Sequence, residues 1–219
     1  MKRKIMLAAR KEKNFCTIYM VRHGETEWNK KGILMGQSDS PLTEIGVKQM
    51  DAAAQELKSV EFDAIYSSDL LRARRTAEIV KLDRKIAVRT SQALRERAYG
   101  RFEGKSTEEY KKFFNDAFAK IMLLSEKERT GYKLDTDIES DNELMARLIT
   151  QLREIAVAYP GKNVLVVSHG SCIRTFLTHV GYVKFGDLQT GAISNGGRVV
   201  VLCDVIDFFI KEVAGIRTA

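Results

Sequence analysis

Two of the chain's three histidines stand in matching surroundings. Arg22-His23-Gly24-Glu25-Thr26 follows the apolar, β-branched run from Phe15 to Val21, and Ser168-His169-Gly170 follows the apolar run from Asn163 to Val167. A lone histidine at a strand end is more often structural. Two at equivalent ends, one beside an arginine and both before a glycine, point to one convergent site, because ligands of wound sheets bind outside the carboxyl ends of the strands. Glycine at 24 and 170 lets the backbone turn sharply and approach a ligand closely. The chemistry on offer is that of imidazole beside a fixed guanidinium charge. His179 has no such neighbours; it falls near a helix C-terminus, where an imidazolium is favourable for structural reasons, and is left out of the site.

Holding such residues in place takes a scaffold, and strands and helices alternate along the 219 residues. After the first strand, a helical pattern runs from Leu42 through Lys58 with Thr43 as N-cap. A short strand at Asp63 to Tyr66 is closed by Ser67-Ser68-Asp69, which caps a helix reaching Lys81. Ile86 to Val88 reads as a third strand. Thr107 to Lys127 is helical but irregular, and Ser140 to Tyr159 is strongly periodic, stopped by Pro160-Gly161. The uninterrupted NVLVV run at 163–167 is the pattern of a parallel strand covered on both faces. A helix from Ser171 to His179 follows, and Arg198 to Cys203 with Asp207 to Val213 reads as a hairpin at a sheet edge. This alternation predicts an α/β fold, a three-layer α/β/α sandwich around a mostly parallel sheet. One domain is expected over 15–219, with 105–140 as an insertion or lid and 1–14 as a basic, flexible tail.

Composition narrows the function classes. Apolar residues make up 44% and charged residues 30%, and with only 15 Gly and 2 Pro the collagen-like and Pro/Gly-rich disordered classes are excluded. No apolar run is long enough to span a bilayer. The basic start is followed by only five apolar residues, Ile5 to Ala9, before Arg10, too few for a signal sequence. A cytoplasmic protein without a membrane partner is expected. Cys16, Cys172 and Cys203 are an odd number without CxxC spacing, which argues against a disulfide framework and a zinc cluster and reads as buried thiols. The net charge of +7 is concentrated: residues 1–14 hold six basic residues against Glu12 alone. The body is therefore not a polyanion binder, and no obligatory nucleic-acid partner is expected. The tail reads as a solvated arm, with contact to RNA or a membrane surface as the alternative.

The chain resembles the histidine phosphatase superfamily, the phosphoglycerate mutase-like family, over nearly its whole length beyond the tail. The resemblance rests on five ordered blocks: Arg22-His23-Gly24-Glu25-Thr26 with Trp28-Asn29; Gly36-Gln37-Ser38-Asp39-Ser40-Pro41-Leu42-Thr43-Glu44-Ile45-Gly46; Ser67-Ser68-Asp69-Leu70 with Arg72-Ala73 and Thr76-Ala77; Leu94-Arg95-Glu96 with Gly100 and Glu103-Gly104; and Val167-Ser168-His169-Gly170. It implies that fold and a phosphohistidine chemistry. His23 would be the nucleophile, splitting one hard displacement into two easier ones. Arg22 and Arg72 would clamp the phosphoryl oxygens, joined by Asn29 as a neutral donor and by His169, if protonated. Glu96 would protonate the leaving oxygen and later activate water.

Each role has rivals. Arg74 and Arg75 share a helix with Arg72, which alone matches the family block. Glu103 and Glu25 compete with Glu96, and Glu25 reads as loop support. Trp28 and Phe113-Phe114 read first as packing, though the pair could line a substrate pocket. Phe102 stands where many members carry Trp, Glu139-Ser140 lacks the glycines of the usual block, and Asn195 sits roughly where relatives place a strand-end Asn.

The leading expectation is a metal-independent phosphomonoesterase, a histidine acid-base phosphatase of small phosphorylated substrates, with no cofactor and no metal. The alternatives are a cofactor-dependent phosphoglycerate mutase and a non-catalytic binding member of the same fold. The short stretch from Glu96 to His169 lacks the paired arginines and proline-rich segment of typical mutases, and this favours the phosphatase. The substrate and the oligomeric state are not legible in the sequence.

Overall fold

The computed structural model describes residues 15–217, so the expected basic tail at 1–14 lies outside the described residues. Strands β1 (Cys16–Arg22), β2 (Ala64–Ser68), β3 (Val88–Ser91), β4 (Asn163–Ser168), β5 (Ile193–Cys203) and β6 (Phe208–Ile216) form one sheet in the order β3-β2-β4-β1-β5-β6. The β3–β2, β2–β4 and β4–β1 pairs are parallel, while β1–β5 and β5–β6 are antiparallel. The seven helices among the described residues are α1 (Glu27–Lys30), α2 (Glu44–Glu56), α3 (Leu71–Lys81), α4 (Thr107–Leu123), α5 (Glu126–Gly131), α6 (Asp141–Ala158) and α7 (Gly170–His179). None is long and apolar enough to cross a membrane.

The apolar run of β4 is explained by its neighbours on both sides. Val164 and Val166 pack with Leu148 and Leu152 of α6 and Ile173 and Phe176 of α7. Leu165 and Val167 face the other way, toward Met50 of α2 and Ala73 and Ala77 of α3. Period-2 alternation sends successive side chains into two cores, and both are filled. The result is the expected α/β/α sandwich, a mixed sheet with an antiparallel edge. A third, smaller core of Leu34, Tyr99, Phe102, Tyr110 and Ile138 joins α4 to the loops beside the strand ends.

Some boundaries differ from the sequence reading. The third strand is Val88–Ser91 rather than 86–88, because pairing with Ile65–Ser68 of β2 sets its position. The stretch from 107 to 127 is broken at Leu124-Ser125, where Ser125 opens α5 with a capping box. β5 starts at Ile193, five residues earlier than expected, and the Gly196-Gly197 pair lies within a register shift against β6. Helix α3 is not capped by Ser67, Ser68 or Asp69. Its first N–H groups are accepted by Asp39 from a distant loop, at Leu71 N and, across 3.4 Å, at Arg72 N. Asp69 instead holds Arg95 through two hydrogen bonds of 2.7 and 2.6 Å.

The loop after β1 is strapped onto two helices. Gly24 N–H donates to Thr76 Oγ1 at 3.1 Å, Glu25 N–H donates to Gln49 Oε1 at 2.9 Å, and Thr43 Oγ1–H donates to Glu25 Oε1 at 2.8 Å. The loop passes so close to α2 that a Cβ added at Gly46 would lie 2.0 Å from the Glu25 carbonyl oxygen. Backbone cannot yield as a side-chain end does. Gly46→Ala is therefore expected to destabilise the fold by about 1–3 kcal/mol, the usual cost of overpacking. Thermal unfolding should show a midpoint several degrees lower. An unchanged Tm would mean that the loop does not rest on α2.

Candidate active site

The register of β1 against β4 pairs Arg22 with Ser168, so the residues that follow each strand emerge side by side. His23 N–H donates to the Ser168 carbonyl at 3.1 Å, and the His23 and His169 rings lie 5.2 Å apart, edge to face. His23 is 2% exposed and borders a cavity of about 360 Å³. Arg22, Asn29, Arg72 and Glu96 line the same cavity. His169 is fully buried behind His23, as the N-cap residue of α7, and does not itself line it.

The tautomer of His23 follows from its partner. Nδ1 lies 2.7 Å from the Gly24 carbonyl oxygen, which can only accept, so Nδ1 carries the proton and Nε2 keeps a free lone pair. Burial, and after it the charges of Arg72 and Arg22, hold the imidazole well below its ordinary pKa. His169 is shifted the same way, by burial first and then by Arg72 and His23. The sequence reading allowed a protonated His169; its surroundings favour the neutral ring, which donates one N–H instead of two.

The cations are set from behind. Arg22 anchors one Nη on the Ile193 carbonyl, and burial lowers its pKa to about 10, leaving it charged at neutral pH. Arg72 is fully buried; its Nη groups donate to the Gly36 and Ser38 carbonyls, each at 2.7 Å, and to Asp39 Oδ1 at 3.1 Å. Arg74 and Arg75, its rivals in sequence, are exposed. The gripping loop is locked by Glu103, which accepts from Gln37 N, Ser38 N and Tyr99 N, each at 3.0 Å. Glu103 is thus committed to the loop, and Glu25 to Thr43, which leaves Glu96 at the cavity. Its carboxylate accepts from Arg97 N at 2.7 Å and from Ser171 N, in the first turn of α7, at 3.1 Å.

The decisive feature is what lacks a partner. Arg22 Nε, Arg72 Nε and both ring nitrogens of His169 are buried without a hydrogen bond among the described residues. Buried polar atoms are nearly always satisfied, so these four, three donors and the one acceptor nitrogen of a neutral His169, mark a place where an external partner belongs. Asn29 adds to them. Its Oδ1 accepts from Thr26 N at 3.2 Å and Asn195 Nδ2 at 3.4 Å, which leaves its amide N–H groups for the cavity.

Several participants escaped the sequence reading or were only glimpsed there. Asn195 bonds the His23 carbonyl at 3.0 Å and thereby orients the turn. Arg147 donates to the carbonyls of Ala93, Arg95 and Glu96 and to Glu139, fixing the Glu96 segment from below. Glu139 consequently serves that clamp. Arg174 and Arg217 bring further positive charge to the cavity wall, where Lys111 is paired with Glu108 at 2.7 Å. Arg174 stands four residues after Gly170, one helical turn, and that spacing was the available signal. No group of three or more His, Cys, Asp and Glu side chains suited to a metal ion occurs among the described residues.

Known proteins share both the sequence and the architecture. An uncharacterized phosphatase, PhoE, of Bacillus subtilis (strain 168) is 33% identical over 163 residues, 74% of this chain and 76% of its own. A metal-independent phosphoserine phosphatase of Arabidopsis thaliana is 34% identical over 179 residues, 77% of this chain and 70% of its own. The crystal structure of phosphoglycerate mutase from Bacillus anthracis str. Sterne superposes with a TM-score of 0.75 at 27% identity, over 94% of this chain and 96% of that one. The family model of the histidine phosphatase superfamily (branch 1) matches residues 18–214, both strand-end histidines included, and the chain belongs to that superfamily of phosphatases and mutases.

Proposed function

We propose that the chain is a metal-independent phosphomonoesterase that works through a phosphohistidine at His23. The observation that carries the reading is the set of unmet buried donors on Arg22, Arg72 and His169 beside a neutral imidazole whose Nε2 lone pair is free. In the first step Nε2 attacks phosphorus. The P–O bond to the alcohol breaks, and the leaving oxygen takes its proton from Glu96. At the cavity Arg22, Arg72 and Asn29 hold the equatorial oxygens, the two arginines supplying the positive charge that phosphoryl transfer needs, and the unpartnered N–H of His169, buried beside His23, is the further donor in this reading. In the second step Glu96 takes a proton from water as its oxygen attacks the phosphohistidine, and free phosphate leaves. The similarity to a metal-independent phosphoserine phosphatase supports the same reading.

A mutase is the second reading, and one observation favours it. Arg174 and Arg217, distant in sequence, meet at the cavity wall and supply cations of the kind a second anionic group requires, whereas Lys111 there is paired with Glu108 at 2.7 Å. Product analysis separates the two: a phosphatase releases phosphate in step with substrate loss, whereas a mutase returns the phosphoryl group to an isomeric ester.

Three outcomes are expected. His23→Ala should abolish turnover without unfolding the protein, and quenching with labelled substrate should trap an acid-labile, base-stable phosphoenzyme in wild type only; wild-type rates in the variant would overturn the mechanism. Glu96→Gln should slow phosphorylation by alkyl esters by about 10²–10⁴-fold while aryl esters, whose phenolates leave unaided, suffer much less. Equal single-turnover losses for both would remove Glu96 from the acid role.

The third concerns pH. His23 and His169 are held neutral in the fold, well below the ordinary value of 6.5, whereas the unfolded chain protonates them near that value. Their contribution to stability is therefore present above pH 6.5 and lost as pH falls below it, by up to about 2 kcal/mol per histidine between pH 7 and 5. Denaturant titrations should show His23→Ala losing less stability than wild type over that interval. Parallel losses would mean that the imidazole is already charged in the fold.

A further inference from the structure

A second cavity, of about 380 Å³, adjoins the first. Lys111, Arg174 and Thr190 line both. One side of the second is an aromatic ladder. Tyr110, Phe114 and Phe118 recur at four-residue spacing along α4, with Tyr110 to Phe114 at 6.4 Å and Phe114 to Phe118 at 5.6 Å between ring centres. Phe185 continues it, stacked on Phe118 at 6.2 Å with the planes 14° apart, and Arg129 lies over Phe185 at 4.8 Å. Phe113 by contrast turns away to pack on Phe102.

The polar part of this cavity has unmet donors. Arg97, 7% exposed, and Arg129 both line it, and each keeps a buried Nε without a hydrogen bond. The acidic residues there are already engaged: Asp141 pairs with Arg97, and Glu139 pairs with Arg147 at 2.6 Å. Lys111 pairs with Glu108 at 2.7 Å. The charge that is not offset this way is positive, carried by Arg129 and Arg174. A flat apolar ring suits the ladder, and an anionic substituent suits the guanidinium groups beside it.

We infer that this cavity seats the alcohol half of the substrate, and that the substrate is a phosphate monoester whose alcohol carries an aromatic body with an anionic substituent. The inference rests on the phosphatase reading for the phosphate end, and on shared walls for the rest. Esters as small as a phosphorylated amino acid would leave the ladder without a partner.

The test holds the leaving group constant. Propyl phosphate is compared with ω-phenylalkyl and ω-(4-carboxyphenyl)alkyl phosphates having three to six methylenes, all departing as primary alkoxides. At the best chain length kcat/KM should rise at least tenfold for the phenyl ester over propyl phosphate, and severalfold more for the carboxylated one. Phe118→Ala should shrink the phenyl advantage to within about threefold, and Arg129→Met the carboxylate advantage. The corresponding phosphonates, titrated calorimetrically into the wild-type protein, should follow the same order in affinity. Hydrolysis of every ester at similar kcat/KM, with equal phosphonate affinities, would overturn the inference while leaving the phosphatase intact. Absence of hydrolysis with graded phosphonate binding would overturn the phosphatase reading and leave the second cavity as a ligand site.

Discussion

His23 N–H donates to the Ser168 carbonyl across 3.1 Å, one rung beyond the parallel pairing of β1 with β4. That bond settles which residues can act together. A parallel ladder keeps the two carboxyl ends level, so the residues after each strand leave the sheet at the same height. A slip of one residue would turn His23 and His169 to opposite faces and, with them, both apolar cores. The register is protected by those cores: Val164 and Val166 on one side, Leu165 and Val167 on the other, all fully buried.

Around this pair the protein accepts a local electrostatic cost. Two guanidinium groups and two imidazoles are withdrawn from water, and burial is the largest cause of the lowered pKa in every one. Buried charge is tolerable only where enough donors are met. Arg72 meets that condition with carbonyls, which aim it without neutralising it, and with Asp39, which also caps α3. Glu103 in turn locks the loop that offers those carbonyls, and at Gly36, with φ of +54°, a Cβ would fall 2.2 Å from Glu103 Oε1. The loop, the cap and the clamp are one device. Its one remaining unmet donor, Arg72 Nε, belongs to a side chain that borders the cavity with His23, where an anion would offset the cost.

The parts of this arrangement that the sequence disclosed are those governed by short-range pattern. The β-branched run before Arg22 and the uninterrupted apolar run before Ser168 announce two strand ends, and with them the histidines. Arg72, Glu96 and Asn29 stood in recognisable blocks, and all three border the cavity with Arg22 and His23. Long-range hydrogen bonding stayed hidden. Asp39 as a cap lies 32 residues from Leu71, and nothing local in Ser67-Ser68-Asp69 reveals that those side chains are not used for it. Asn195 was only glimpsed because the sequence places this strand from Arg198 onward, whereas β5 starts at Ile193 and holds the glycines in an irregular stretch. Edge strand β3 starts two residues later and ends three later than its sequence pattern indicates, because Arg89 and Thr90, exposed on the sheet's rim, carry no alternation of burial to mark them.

Hydrolysis and transfer part at the phosphohistidine, and in the proposed reaction the walls of the two cavities decide between them. Water can reach phospho-His23 beside Glu96 only after the alcohol has moved aside. An alcohol held firmly by Arg174 and Arg217 would stay within reach, and the phosphoryl group would return to it. The strand ends that carry His23, Arg22 and His169 serve either outcome. On that reading what differs is the residence of the alcohol, which would be set by α4, the start of α7 and the segment from Thr190 to Asn195, whose side chains line the cavity. A second compartment that drew the alcohol toward Phe118 and Arg129, away from the phosphorus, would open the attacking side to water. The aromatic ladder thus bears on more than which ester binds: by moving the leaving group out of line it would favour release of phosphate over its return.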